Sequence, residues 1–259
     1  MVSSRPAVPA FVQLAAHPLR WQLLTELAHG DHRVRELVAL VGEPQSLVSY
    51  HLRLLRDGGL VTTTRSSFDR RDMYYHLILD RCADALADTG AALHPALRAG
   101  AVPPAPAFRR SPRLRVLFVC TGNSVRSPMA EALLRDRTGG RVDVASAGTR
   151  AGAGLHPGAV RVLRADFGID ISGRRPQHLK AVSGRRFDYV ISLCDRAREV
   201  LPDFPGDPRR SHWSVPDPAA AGDDRTGYTV LQHIAANIDT RIRHLTTALA
   251  ATDSEGDPP

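Results

Sequence analysis

Cysteine is scarce: Cys82, Cys120 and Cys194 are the only three in 259 residues. They cannot make a disulfide framework, and no pair has zinc-ligand spacing, so no metal site is expected. Lysine is rarer still, with Lys180 alone, and arginine carries nearly all the positive charge. No apolar run is long enough to cross a bilayer. The N-terminus lacks the charged-then-apolar pattern of a signal segment, so a cytoplasmic location without a membrane partner is expected. The length allows two small domains, each with its own core. The formal charge is +7, and residues 1–100 hold 11 arginines against 10 acids, so the excess lies beyond them. A basic surface suits anionic partners, nucleic acid or small oxyanions alike.

The most informative stretch is residues 114–131, LRVLFVCTGNSVRSPMAE. Val116, Leu117, Phe118 and Val119 form one buried parallel strand that ends at Cys120. A small polar loop follows: Thr121, Gly122, Asn123, Ser124, Val125 and Arg126. Ser127 is expected to cap a helix, with Pro128 at its first position. A thiol thus sits at a strand's carboxyl end and a helix mouth, where backbone N–H groups converge on an anion. The same field favours a thiolate. Arg126 offers a planar fork for a tetrahedral oxyanion. Gly122 permits close backbone approach, and Asn123 tolerates a left-handed conformation.

This run resembles the phosphate-binding loop of low-molecular-weight protein tyrosine phosphatases and of the thioredoxin-coupled arsenate reductases sharing their fold. The resemblance implies Cys120 as nucleophile, Arg126 as oxyanion clamp and Ser127 as thiolate stabiliser.

Residues 8–98 read as a first domain. Phe11, Val12, Leu14 and Ala15 suggest a short opening helix, and His17-Pro18 starts a second that Gly30 stops. Residues 33–41 read as a third helix and 44–57 as a fourth. In the fourth, Val48, Leu52 and Leu55 face inward while Gln45, Ser46, Ser49, Tyr50 and Arg53 face away. Residues 60–64 and 73–79 read as a hairpin whose tip carries Arg65, Arg70 and Arg71. A last helix is expected over residues 80–97. This order predicts a mainly α winged helix-turn-helix: the fourth helix enters the major groove and the hairpin arginines hold phosphates or the minor groove.

The segments HPLRWQLLTEL and EPQSLVSYHLRLLRDGGLV resemble ArsR/SmtB-type repressors. That implies a homodimer on partly palindromic operator DNA, joined through the first and last helices. Arsenic-sensing members often carry paired cysteines at the start of the third helix. This chain has Asp31-His32-Arg33-Val34-Arg35 there, so direct metal sensing by this domain is not expected.

Residues 99–113 read as a Pro- and Arg-rich spacer. Residues 114–250 alternate strands and helices, which predicts an α/β parallel sheet covered on both faces. Cys120, Cys194 and Asp217 fall at strand carboxyl ends, consistent with one pocket. Residues 251–259 are expected to form a disordered tail.

On residues alone, Asp217 between two prolines fits a turn as well as a general acid, and Cys194 fits a strand-end core position. The resemblance makes Asp217 the acid and Cys194 the second redox cysteine of arsenate reductases. The third cysteine of thioredoxin-coupled reductases would fall at Leu201, and Val125 replaces a cysteine common inside the loop. Glu131 and Asn123 match a potassium site of some relatives, but Gln177 stands where its further carboxylate is expected. The rim after Asp217 and at Arg150-Ala151 lacks the aromatics that would stack on phosphotyrosine. The expected protein is a DNA-binding repressor fused to an arsenate reductase-like domain, with no tightly bound cofactor and an external thiol reductant, either thioredoxin or a small thiol. The alternatives are a phosphatase on phosphoesters and a catalytically silent oxyanion sensor.

Overall fold

The computed structural model describes residues 8–94, 97, 114–218 and 225–255. The chain divides into two compact units, Met1–Pro104 and Ala105–Pro259. The spacer expected at 99–113 and the last four residues of the tail lie outside the described residues. No helix among the described residues is long and apolar enough to cross a membrane.

The first unit runs α1 (Ala10–Ala15), α2 (Pro18–His29), β1 (His32–Arg33), α3 (Val34–Val41), α4 (Gln45–Asp57), β2 (Val61–Arg65), β3 (Met73–Leu77) and α5 (Leu79–Leu93). The ends of α2 and α3 have local causes. His17 Nδ1 accepts from Leu19 N at 3.2 Å, and Pro18 occupies the first turn of α2. Glu36 reaches back to Arg33 N at 2.8 Å to open α3, and Gly42 closes it at φ 71°. Val48, Leu52 and Leu55 of α4 join Leu23, Leu24, Leu27 and Leu37 in one core. β2 and β3 form an antiparallel hairpin, and β1 adds a third strand through His32↔Tyr75. The last helix stops at Leu93 instead of Leu97, with His94 extended. The cause is Pro95, which disfavours helical backbone in the residue before it.

The second unit runs β4 (Arg115–Cys120), α6 (Arg126–Arg137), β5 (Asp143–Gly148), α7 (Pro157–Phe167), β6 (Tyr189–Ser192), α8 (Asp195–Arg198), β7 (Arg209–His212) and α9 (Arg225–Glu255). The sheet is parallel, in the order β5-β4-β6-β7. Val116 to Val119 of β4 are fully buried, as a central strand covered on both faces requires. The register pairs Cys120 with Gly148, Val119 with Ser192, and Ser192 with His212. The carboxyl ends of all four strands are therefore level. β4 lies between β5 and β6, so its loop opens where the strand order reverses, the usual crevice of such sheets.

Two boundaries differ from expectation. Helix α6 begins at Arg126 with Val125 as its N-cap, so Ser127 lies inside the first turn. The Ser127 hydroxyl does not cap its helix because Cys120 holds it. Helix α9 continues to Glu255, past residue 250, through an alanine-rich stretch of high helix propensity.

His51 lies on the inner face of α4, 4% exposed, its ring 4.3 Å from that of His17. Its Nδ1 has no hydrogen-bond partner among the described residues. Burial first, then the nearby His17 and Arg20, hold its pKa below the ordinary value of 6.5. The unfolded chain thus takes up this proton before the folded one does, and stability falls as pH drops below about 6.5. We expect the thermal midpoint of the protein to fall less between pH 7 and pH 5 in His51→Gln than in the parent; equal slopes would refute the assignment.

Candidate functional site

The loop after β4 is shaped by where its carbonyls go. Residues 149–156 run alongside it. Thr149 N donates to Cys120 O at 3.0 Å, Arg150 N to Thr121 O at 2.8 Å, Gly152 N to Gly122 O at 2.9 Å and His156 N to Ser124 O at 3.0 Å. In a trans peptide the N–H points opposite to the C=O. The N–H groups of Thr121, Gly122, Asn123 and Val125 are thereby turned inward. Asn123 N donates to Cys120 Sγ at 3.2 Å, with Asn123 at φ 50°. Gly148 allows this close seating, since a Cβ there would meet Thr121 O at 2.7 Å.

Cys120 is 2% exposed and its Sγ lies 2.9 Å from Ser127 Oγ. The Arg126 guanidinium is buried, with Nη1 donating to Val215 O at 3.3 Å and Nη2 3.8 Å from Asp217 Oδ1. Asp217 itself is half-exposed. Cys194 Sγ lies 3.2 Å from Thr121 Oγ1, so both sulfurs adjoin one loop. Burial pushes the Cys194 thiol up, while the Arg126 charge and the Thr121 hydrogen bond oppose that shift. Cys120, Arg126, Ser127, Cys194 and Asp217 are thus brought together. Leu201 packs against the core without a thiol.

Behind the loop, donor counting fixes the orientation of the Asn123 amide and the Ser146 hydroxyl. Gln177 N donates to Asn123 Oδ1 at 2.7 Å. The Asn123 amide must then donate from Nδ2, to Ser127 Oγ and Ser146 Oγ, each at 2.9 Å. Ser146 passes its proton to Glu131 Oε2 at 2.7 Å, and Ser127 Oγ has two acceptors within reach, Cys120 Sγ at 2.9 Å and Ala147 O at 3.4 Å. Glu131 takes its cations from the chain, Arg135 at 2.8 Å and Arg174. Sequence reasoning missed Arg174 and the 149–156 strap; neither is marked by local spacing.

In the first unit, Gln45, Ser46, Tyr50 and Arg53 of α4 are exposed and Ser49 is half-buried. Arg65, Arg70 and Arg71 are exposed on the β2–β3 hairpin. Phe68, 52% exposed between them, was also missed. Arg33 and Arg35 bind Asp72 at 2.9 and 3.2 Å, tying the hairpin to α3.

Comparison with known proteins agrees with this division. Residues 115–255 match the model of the low molecular weight phosphotyrosine protein phosphatases, and residues 17–63 that of the bacterial regulatory proteins of the arsR family. An arsenate reductase of Halalkalibacterium halodurans is 37% identical over 129 residues, spanning 49% of this chain and 91% of the relative. One from Oceanobacillus iheyensis is 36% identical over 129 residues, with the same coverage of 49% and 91%. A solved low molecular weight protein tyrosine phosphatase from T. tengcongensis is 30% identical, covers 51% of this chain and 97% of that chain, and has a TM-score of 0.43.

Glu131→Gln tests the proton-ordered chain. An amide there offers Ser146 an acceptor only by aiming its NH2 at the arginines. We expect alkylation of Cys120 by iodoacetamide at neutral pH to slow several-fold, with a loss of about 1–3 kcal/mol in stability. An unchanged alkylation rate would remove Glu131 from the support of Cys120.

Proposed function

Because the chain belongs to the low molecular weight phosphotyrosine protein phosphatase family and joins that domain to an arsR-family regulatory domain, we propose that it reduces arsenate and controls transcription. The observation that carries the reading is the second sulfur. Cys194 adjoins the same loop as Cys120, through Thr121, in a cradle built for a tetrahedral oxyanion.

The Cys120 thiolate attacks arsenic, and an arsenate oxygen leaves as water with the proton of Asp217. Arg126 and the inward N–H groups hold the remaining oxygens. Cys194, as thiolate, then attacks Cys120 Sγ. The sulfur–arsenic bond breaks with its electron pair going to arsenic, so As(V) becomes As(III) and arsenite departs. A Cys120–Cys194 disulfide remains, and two thiols of an external reductant restore both cysteines. Thioredoxin or a small cellular thiol serves, the latter through a mixed disulfide.

A second reading, phosphoester hydrolysis, is favoured by the placement of Asp217 beside Arg126. There the acid protonates a leaving alkoxide and the cysteinyl phosphate is hydrolysed.

The first unit binds operator DNA as a homodimer in the cytoplasm. Arg53 and the hairpin arginines supply phosphate contacts, and Gln45, Ser46, Ser49 and Tyr50 face the bases. Oxyanion or arsenite near Cys120 then alters the dimer and releases DNA; an operator-binding assay indifferent to arsenate, arsenite and phosphate would reject that coupling.

Turnover of arsenate and of p-nitrophenyl phosphate, with thioredoxin or small thiols supplied, separates the readings, and inactivity on both favours a silent sensor. Cys194→Ser is expected to abolish multi-turnover arsenate reduction while keeping aryl phosphate hydrolysis; full retention of reduction would end its resolving role. Since burial keeps the Cys194 thiol protonated, arsenate turnover in the parent should rise with pH above neutrality. Arg70→Ala with Arg71→Ala should weaken operator binding uniformly across sequences and, with two arginines lost from each protomer of the dimer, flatten its log–log salt dependence by about four units, measured by anisotropy.

A further inference from the structure

A buried polar cluster lies on the side of the site away from Glu131. His212 Nδ1 is 2.8 Å from Ser192 Oγ, and His212 Nε2 is 3.1 Å from Asp195 Oδ1. Ser214 Oγ donates to the same Asp195 oxygen at 2.8 Å. Ser192, Asp195, His212 and Ser214 are each at most 4% exposed. With Asp195 ionised, a neutral His212 carries its proton on Nε2 and accepts from Ser192. The main chain follows the same route, since Trp213 N donates to Ser192 O at 2.9 Å.

Stability alone does not call for this arrangement. Replacing both partners of a buried hydrogen bond by apolar groups of the same shape is commonly close to neutral. Its position is what distinguishes it. Asp195 directly follows Cys194. His212 and Ser214 begin the segment that continues through Val215, whose carbonyl holds Arg126, to Asp217. Pro216 and Pro218 stiffen that segment further. The cluster therefore ties the turn bearing one sulfur to the strand end bearing the acid and the guanidinium's anchor.

We propose that Asp195 and His212 are positioning residues that fix Asp217 in register with the Cys194 turn. The inference rests on the reading of Asp217 as the acid that protonates the departing oxygen. Neither Asp195 nor His212 touches the reacting atoms; both act through the 213–217 segment.

The test uses the full-length chain with His212→Gln and Asp195→Asn, and two aryl phosphates. p-Nitrophenolate leaves with little help, whereas phenolate needs the acid. We expect kcat/KM for phenyl phosphate to fall about tenfold and that for p-nitrophenyl phosphate less than about threefold. Adding His212→Gln to Asp217→Asn should cost nothing further. Equal losses on both substrates, or additive losses, would overturn the proposal. Amide hydrogen exchange on the same proteins gives a readout independent of turnover. Faster exchange confined to peptides covering 192–195 and 212–217 is expected; no change there, or a rise spreading through β4 and α6, would overturn it. If the parent chain turns over neither aryl phosphates nor arsenate, the functional reading fails by itself, and the exchange pattern still decides whether this pair fixes the segment.

Discussion

Backbone amides of residues 149–156 take the carbonyls of the Cys120 loop, and this pairing turns the opposite edges of the same peptides toward the sulfur. Each such bond contributes only about 1 kcal/mol to stability. Their combined effect is orientation. Without them the loop's peptides would be free to rotate, and inward carbonyls would repel an anion. The strap in turn depends on β5 ending level with β4, and on Gly148 leaving room for Thr121. Sheet register, a missing side chain and an anion cradle are one construction.

Two polar networks flank that cradle. On one side Glu131, Ser146, Asn123 and Ser127 form a hydrogen-bonded chain that reaches Cys120. On the other Asp195 and His212 hold the segment that supplies Asp217 and the carbonyl under Arg126. Both are interior, where a satisfied polar network is rigid and an unsatisfied one is costly. Cys120 and Asp217 thus receive separate support and meet only at Arg126.

What the sequence disclosed followed the range of its signals. The strand, the loop and the helix around Cys120 are contiguous, so apolar run, Gly-Asn and Arg-Ser-Pro could be read locally. The winged unit was legible for the same reason. Ser127 was misjudged as a cap because Ser-Pro is a strong local signal, whereas its real partner is a sulfur seven residues back. The end of α5 was legible in Pro95, which the helical spacing outweighed. His51 sits three residues after Val48 and four before Leu55, a spacing that announces its inward face. The 149–156 strap, Arg174 and the Asp195–His212 pair had no local mark. They exist only once parallel strands from distant parts of the chain are aligned.

The alignment also orders assembly on the ribosome. β4 needs β5 and β6 as neighbours, and α6 and α7 pack against α9, which is made after them. The second unit therefore cannot close until α9 has emerged. The winged unit, with short-range contacts between successive elements, is free to form as soon as it emerges. A nascent chain would hold a folded winged unit while its Cys120 loop still lacked its strap and its covering helix.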